Sequence, residues 1–68
     1  MATGTVKWFN TTKGFGFIAP DEGGKDVFVH ISAVERSGLT GLADNQKVSY
    51  ELQAGRDGRE SAVDLALL

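Results

Sequence analysis

The stretch from Lys13 to His30 reads KGFGFIAPDEGGKDVFVH, and it contains two short apolar runs separated by a turn. The first run spans 15–19 and the second spans 26–31, one residue beyond the stretch, and both are rich in the aromatic and β-branched residues that favour strands. The glycine pair Gly23-Gly24 between the runs is typical of a turn. The stretch therefore predicts two neighbouring β-strands.

Three further runs outside this stretch also have strand character. Residues 4–10 precede it, and residues 46–54 and 61–67 follow it with apolar and polar side chains in alternation. The dipeptide Asp57-Gly58 between the last two runs is a strong hairpin signal. The alternation places these apolar side chains on one face: Val48, Tyr50, Leu52, Ala54, Val63, Leu65 and Leu67.

Five short strands bury an apolar face economically when their sheet curls on itself. The sequence therefore predicts an all-β, five-stranded antiparallel barrel, with residues 1–68 forming a single domain. One short helical turn is expected at Ser32-Ala33-Val34-Glu35, which has the spacing of a capping box and is followed by Gly38. A turn of this length is not expected to pack as a helix.

The two strands of the central stretch are apolar on both faces, which leaves two arrangements open. Phenylalanines fill the core in one, which is the more common fate of such rings. In the other, the core takes the aliphatic side chains and the outer surface takes the aromatic ones. Three observations favour the second arrangement. A lone histidine shares the aromatic face, and the aliphatic residues of the later strands are the type that fills small barrels. Gly14 and Gly16 are also expected to leave open backbone beside the rings, which suits the approach of a ligand. Alternation alone does not decide which ring of Trp8-Phe9 is buried.

An exposed row of aromatic rings is expected only where the surface binds a ligand. Flat rings spaced about 7 Å apart along a strand, with lysines at their edge, suit the stacked bases of a single strand. The net charge is −2, but residues 1–20 contain Lys7 and Lys13 and no acidic residue. A local basic surface can therefore exist on an acidic protein. Stacking, at about 1–3 kcal/mol per base, would supply most of the affinity.

Composition argues against several other classes of protein. The chain has no cysteine and one histidine, which excludes a disulfide framework and argues against a zinc site. It has neither the roughly 20-residue apolar run of a membrane helix nor a secretory signal. We therefore expect a cytoplasmic monomer with no cofactor, no metal, no membrane association and no small-molecule substrate.

Two rival functions are weighed against nucleic-acid binding. Asp26, His30 and Ser32 supply the residue types of a nucleophilic triad, but the aspartate and the histidine lie about 13 Å apart along one strand. An enzyme is therefore not expected. A barrel that binds peptides through its aromatic residues is the stronger rival, and the acidic net charge would suit it.

Two motifs identify a family resemblance. Residues 13–18, KGFGFI, resemble the first ribonucleoprotein motif, and residues 27–30, VFVH, resemble the second. In this order, and preceded by KWFN at 7–10, they closely resemble the bacterial cold-shock protein family, from Gly4 to about Leu65. The resemblance implies an oligonucleotide-binding (OB-fold) barrel that binds single-stranded RNA and DNA. It also implies a role as an RNA chaperone and regulator of transcription or translation.

The resemblance also implies which residues bind. Carried over by position, the binding surface comprises Lys7, Trp8, Asn10, Lys13, Phe15, Phe17, Phe28 and His30. The lysines would face phosphates, the rings would stack on bases, and Asn10 would bond to a base edge. Trp8 would then lie outside and Phe9 at least partly inside. The sequence departs from the family at Ile31 and Leu39, where aromatic residues are usual, and at Arg59-Glu60, where Gly-Pro is common.

Overall fold

The computed structural model describes residues 2–55 and 60–68. The elements in chain order are β1 (Ala2–Asn10), β2 (Phe15–Pro20), β3 (Val27–His30), α1 (Ile31–Arg36), β4 (Lys47–Ala54) and β5 (Glu60–Leu67). No helix in these two ranges is long and apolar enough to cross a membrane.

The five strands form a closed barrel in the order β1-β2-β3-β5-β4, which confirms the predicted fold class. Four neighbouring pairs are antiparallel, whereas β3 and β5 pair in parallel through Phe28 and Ser61. The strands β4 and β5 are antiparallel up to the pair Ala54 and Glu60. The hairpin signal Asp57-Gly58 between them, and Arg59, lie outside the described residues.

The core of the barrel is aliphatic, apart from one tyrosine. On β2 and β3 the side chains of Ile18, Val27 and Val29 are buried, so the phenylalanines of those strands lie on the outer face. This confirms the arrangement with the aromatic residues outside. The remaining buried apolar residues are Val6, Ala33, Val34, Val48, Tyr50, Ala62 and Leu65.

A β-bulge in β1 decides the orientation of Trp8. Val6 is opposite Ile18, whereas Trp8 is opposite Phe17, so Lys7 is an extra residue in the ladder between β1 and β2. A bulge interrupts the alternation of side chains along its strand. As a result Val6 is fully buried, while Lys7 and Trp8 are both exposed.

A second bulge corrects the predicted alternation of β5. Ser49 is opposite Ala66 and Glu51 is opposite Val63, so two residues, Asp64 and Leu65, face Tyr50 alone. Asp64 has a left-handed backbone with φ of 52°. The expected facing was therefore wrong for Ala62, which is buried, and for Val63, which is only partly buried. Leu67 lies opposite the buried Val48, but it is at the end of the strand and is 52% exposed.

The far half of β4 also differs from the prediction. Leu52 was expected in the core but is 45% exposed. Among the described residues, β1 pairs with β4 only as far as Tyr50, so residues 51–54 are paired with β5 alone. Ser49, expected outside, is buried beside the bulge.

The helix α1 is better packed than its sequence suggested. Its N-cap is His30 rather than Ser32, because the His30 side chain accepts a hydrogen bond from the Ser32 N–H. The helix ends in a Schellman motif, in which the N–H groups of Gly38 and Leu39 donate to the carbonyls of Glu35 and Val34. Val34 is fully buried, so this short helix covers part of the core.

Candidate nucleic-acid interface

Five rings from three strands form one continuous patch on the outer face of the barrel, which we call the aromatic surface. Trp8 comes from β1, Phe15 and Phe17 from β2, and Phe28 and His30 from β3. Neighbouring ring centroids are 5.4–6.3 Å apart. The strand ladder sets this arrangement, since Phe15 is opposite His30 and Phe17 is opposite Phe28.

The rings of the aromatic surface support one another. Phe17 makes edge contacts with Trp8, Phe15 and Phe28, and Phe15 is stacked on Phe28 at 5.8 Å. The three phenylalanines are consequently half-buried, whereas Trp8 is 39% exposed and His30 is exposed. Mutual packing of this kind holds each ring in place before a ligand arrives, which lowers the entropy cost of binding.

The two lysines predicted at the interface differ in their surroundings. Lys7 donates to the carboxylate of Asp26 at 3.0 Å, and both side chains remain substantially exposed. Lys13 is exposed in the turn between β1 and β2. An exposed ion pair of this type contributes little to stability, so breaking the pair between Lys7 and Asp26 would cost little.

Asn10 has a structural role that the sequence did not reveal. Its side-chain oxygen accepts hydrogen bonds from the backbone N–H groups of Thr12 and Lys13, at 2.9 and 3.0 Å. This Asx turn closes the β1–β2 connection. Any contact that Asn10 makes with a base edge must leave these bonds intact or sacrifice the turn.

The glycines of the aromatic motif do not leave open backbone, contrary to the expectation. Gly16 is buried, and a Cβ there would collide with the backbone of Trp8 and Phe9 across the ladder. Gly14 is also buried and has φ of 85°. Both residues are needed for the close approach and turning of protein backbone rather than for the approach of a ligand.

Two residues of the rival triad, His30 and Ser32, contact each other, whereas the third, Asp26, is paired with Lys7. Nδ1 of His30 lies 3.0 Å from Ser32 Oγ and accepts the Ser32 N–H at 3.1 Å. Within residues 2–55 and 60–68, no three histidine or acidic side chains are grouped so that they could hold a metal ion.

The two positions at which the family usually has an aromatic residue, Ile31 and Leu39, are partly buried. Ile31 is the first residue of α1, and its Cγ2 lies 3.4 Å from where a Cβ on Gly14 would be. Leu39 packs against the core. Leu39 therefore does not stand free in its loop.

The structure adds Leu52 to the surroundings of the aromatic surface. Leu52 and Phe28 together line two adjoining open grooves of about 630 and 530 Å³. The first groove also includes Lys25 and Phe17, and the second also includes His30. The alternation of β4 predicted Leu52 in the core. Its exposure could have been predicted only from the position at which β1 stops pairing with β4, which the sequence does not show.

Comparison with known proteins agrees with this geometry. Residues 2–68 match the family described as the 'Cold-shock' DNA-binding domain. The chain is 67% identical over 64 residues to the probable cold shock protein y4cH of Sinorhizobium fredii, which covers 94% of this chain and 93% of the relative. It is 58% identical over 66 residues to cold shock protein CspA of Rhizobium meliloti, covering 96% of each. It is 52% identical over 64 residues to cold shock-like protein CspE of Escherichia coli, with coverage of 94% and 93%.

These relatives are matched over nearly their whole length. The family match over residues 2–68 includes the aromatic surface and all five strands. The closed barrel, the two bulges and the aromatic surface form one compact arrangement within that region. The chain belongs to the cold-shock domain family.

Proposed function

We propose that this protein binds single-stranded RNA and DNA by stacking bases on the aromatic surface. The observation that carries the proposal is the continuity of the five rings, whose neighbouring centroids lie within 6.3 Å of one another on one outer face. Aromatic patches of this kind bind successive bases with little sequence preference, because every base has a π-face. A duplex hides those faces, so single strands are the preferred ligand.

Electrostatics has a secondary role in the proposed binding. Lys7 and Lys13 lie on β1 and in the turn that follows it, where they contact phosphates of the bound strand. Asn10 between them contacts a base edge through the part of its amide that the turn does not use. The chain as a whole carries a net charge of −2, so stacking rather than bulk attraction supplies most of the affinity.

Binding of this type makes the protein an RNA chaperone and regulator of transcription or translation. A protein that holds bases unstacked competes with the intramolecular pairing of RNA and shifts the equilibrium toward open strands. Pyrimidine-rich stretches are the preferred targets, since their bases leave self-stacking most readily. We further propose that the protein acts as a monomer in the cytoplasm without catalysis or a small-molecule substrate.

The fluorescence of Trp8 tests the proposal directly. Trp8 is the only tryptophan of the chain and belongs to the aromatic surface, so its emission reports on that surface alone. Titration with a short pyrimidine oligonucleotide is expected to quench the emission strongly, and a duplex of equal length is expected to compete poorly. Equal competition by the duplex would refute the stacking mechanism. A response to peptides but not to oligonucleotides would instead favour the peptide-binding barrel.

A further inference from the structure

The hydrogen bonds of His30 fix which of its nitrogens faces a ligand. A backbone N–H can only donate, so Nδ1 of His30 must be the acceptor in its 3.1 Å bond with the Ser32 N–H. An accepting nitrogen carries no proton, and the neutral ring then carries its proton on Nε2. The Ser32 hydroxyl at 3.0 Å can donate to the same nitrogen and reinforce this state. The other ring nitrogen, Nε2, is therefore a hydrogen-bond donor, and it has no acceptor among residues 2–55 and 60–68.

The position of that donor connects it to base recognition. His30 lies two residues after Phe28 on the same face of β3, and their ring centroids are 6.3 Å apart. A base stacked on Phe28 would therefore present one edge toward the neighbouring His30 ring. A donor at this edge is satisfied by a base carbonyl oxygen but opposes an amino group, which is itself a donor.

We propose that Ser32 is a positioning residue that holds His30 as an Nε2–H donor. We propose also that this donor makes one position of the bound strand selective for a base with a carbonyl group over one with an amino group. Uracil, thymine and guanine would be favoured at that position over cytosine and adenine. This inference rests on the proposed function, because it concerns bases bound at the same aromatic surface.

Nuclear magnetic resonance of the free, ¹⁵N-labelled protein tests, without any ligand, whether His30 is an Nε2–H donor held by Ser32. The neutral His30 ring is expected to show a protonated Nε2 and an unprotonated Nδ1. A coupling across the hydrogen bond is expected between Nδ1 and the Ser32 amide nitrogen. A ring that carries its proton on Nδ1, or the absence of this coupling, would overturn the assignment whatever the protein binds.

Single base substitutions along the oligonucleotide test the proposed base selectivity. Single uracil-to-cytosine changes are placed at each position of a short oligodeoxyuridine, so that stacking area is nearly constant. One neutral hydrogen bond predicts a loss of affinity of about three- to tenfold at one position only. The variant His30→Asn is expected to abolish that loss, while folding is retained because asparagine is a strong N-cap residue.

Three further variants separate the possible causes. His30→Phe retains a flat ring without a donor, so it is expected to bind the uracil and cytosine ligands equally. Ser32→Ala retains the backbone bond and is expected to reduce the selectivity in part. Thr40→Ala removes an exposed hydroxyl in the loop after α1 that lines neither groove, so it is the control and is expected to leave the selectivity unchanged. A selectivity that persists in His30→Asn and His30→Phe would refute this inference alone. Failure of every oligonucleotide to bind would refute the proposed function, and this inference with it.

Discussion

Trp8 lies directly opposite Phe17 across β1 and β2, and their ring centroids are 5.4 Å apart. This pairing is one residue out of the register in which Val6 lies opposite Ile18, because Lys7 bulges out of the ladder between them. The shift allows one strand to supply a fully buried core residue and an exposed ring only two positions apart. Stability and binding are thus assigned to separate side chains, which can be tested separately.

Phe17→Ala and Val29→Ala are expected to have opposite effects. Phe17 is a half-buried member of the aromatic surface, so its loss should weaken binding of a single strand by about 1–3 kcal/mol. Its loss should lower the free energy of unfolding by only about 1 kcal/mol, through its ring contacts. Val29 is fully buried, and Val29→Ala should lower the free energy of unfolding by about 2–3 kcal/mol.

Thermal unfolding and fluorescence titration of both variants provide the measurement. The folded fraction of Val29→Ala is expected to bind as tightly as the unmodified protein. If Val29→Ala weakened binding as much as Phe17→Ala does, the separation of core and binding surface would be wrong.

Alternation predicted that the phenylalanines of β2 and β3 share one face, because those strands are regular, but it did not predict whether that face is inside or outside. The histidine on the same face and the aliphatic residues of the later strands favoured the outside. Phe17 and Val29 follow a strict period of two with no bulge between neighbouring pairs. The same reasoning failed for Ala62 and Val63, because the bulge at Asp64 changes the phase of β5. A bulge depends on which residue of a distant strand lies opposite, and local sequence does not contain that information.

The caps and turns were predictable in type but not in detail. Ser32 has the residue type and spacing of an N-cap, yet the chain places His30 in that role because β3 continues to His30 before α1 begins. Asn10 was selected as a binding residue, whereas its side-chain oxygen closes a turn. In both cases one side chain can satisfy several partners, and the tertiary structure decides between them.

The strain at Asp64 predicts a strong dependence on the residue type at that position. Its φ of 52° is a conformation that aspartate tolerates and that β-branched residues strongly disfavour. Asp64→Val should therefore lower the free energy of unfolding by about 1–2 kcal/mol, whereas Asp64→Gly should retain or increase it. Thermal unfolding checks both. Gln53→Val, on the exposed part of β4, is the control and should have little effect, since valine suits regular strands. If Gln53→Val lowered the free energy of unfolding as much as Asp64→Val does, backbone strain at Asp64 would not be the cause.

The ion pair of Asp21 predicts a loss of stability in acid. Lys47 donates to the Asp21 carboxylate at 2.6 Å and Thr3 donates at 2.8 Å, and these bonds lower the pKa of Asp21 below its ordinary value of 3.8. A lowered pKa means that the folded state favours the ionised form. The resulting stabilisation is present above the pKa of the unfolded chain and is lost as pH falls through the pKa of the folded chain.

Asp21→Asn should therefore lower the melting temperature slightly at about pH 7, and the difference from the unmodified protein should vanish by about pH 2. Melting curves at several pH values measure this difference. Asp44→Asn, a change of the same type at an exposed site, is the control. A difference that remained constant down to the lowest pH would show that the charge of Asp21 is not its cause.

The salt dependence of binding should be shallow. Lys7 and Lys13 are exposed beside the aromatic surface and Lys25 lines the adjoining groove, while Arg56, a further candidate, lies outside the described residues. About two to four phosphate contacts on a single strand correspond to a slope of log K against log salt of roughly −1.4 to −2.8. Titrations at several salt concentrations measure the slope. A slope steeper than about −5 would mean that charge, rather than stacking, dominates the affinity.

Ile31→Phe tests whether the aromatic surface can be extended. Ile31 follows His30, is half-buried, and is held by a hydrogen bond from its N–H to the Gly14 carbonyl at 2.8 Å. Isoleucine has no flat face, so a phenylalanine here should add a stacking platform beside His30. Affinity for a long pyrimidine oligonucleotide should rise by up to about 1–2 kcal/mol, and affinity for a strand too short to reach this position should not change.

Leu39→Phe is the matched comparison, and it should gain less. Leu39 already packs against the core, so a larger ring must either give up that contact or overpack it, and either costs stability. Fluorescence titration with long and short oligonucleotides, together with melting curves, distinguishes the two variants. If Ile31→Phe left the affinity for the long strand unchanged and lowered the melting temperature, position 31 would belong to the packing between α1 and Gly14, and the binding surface would end at His30.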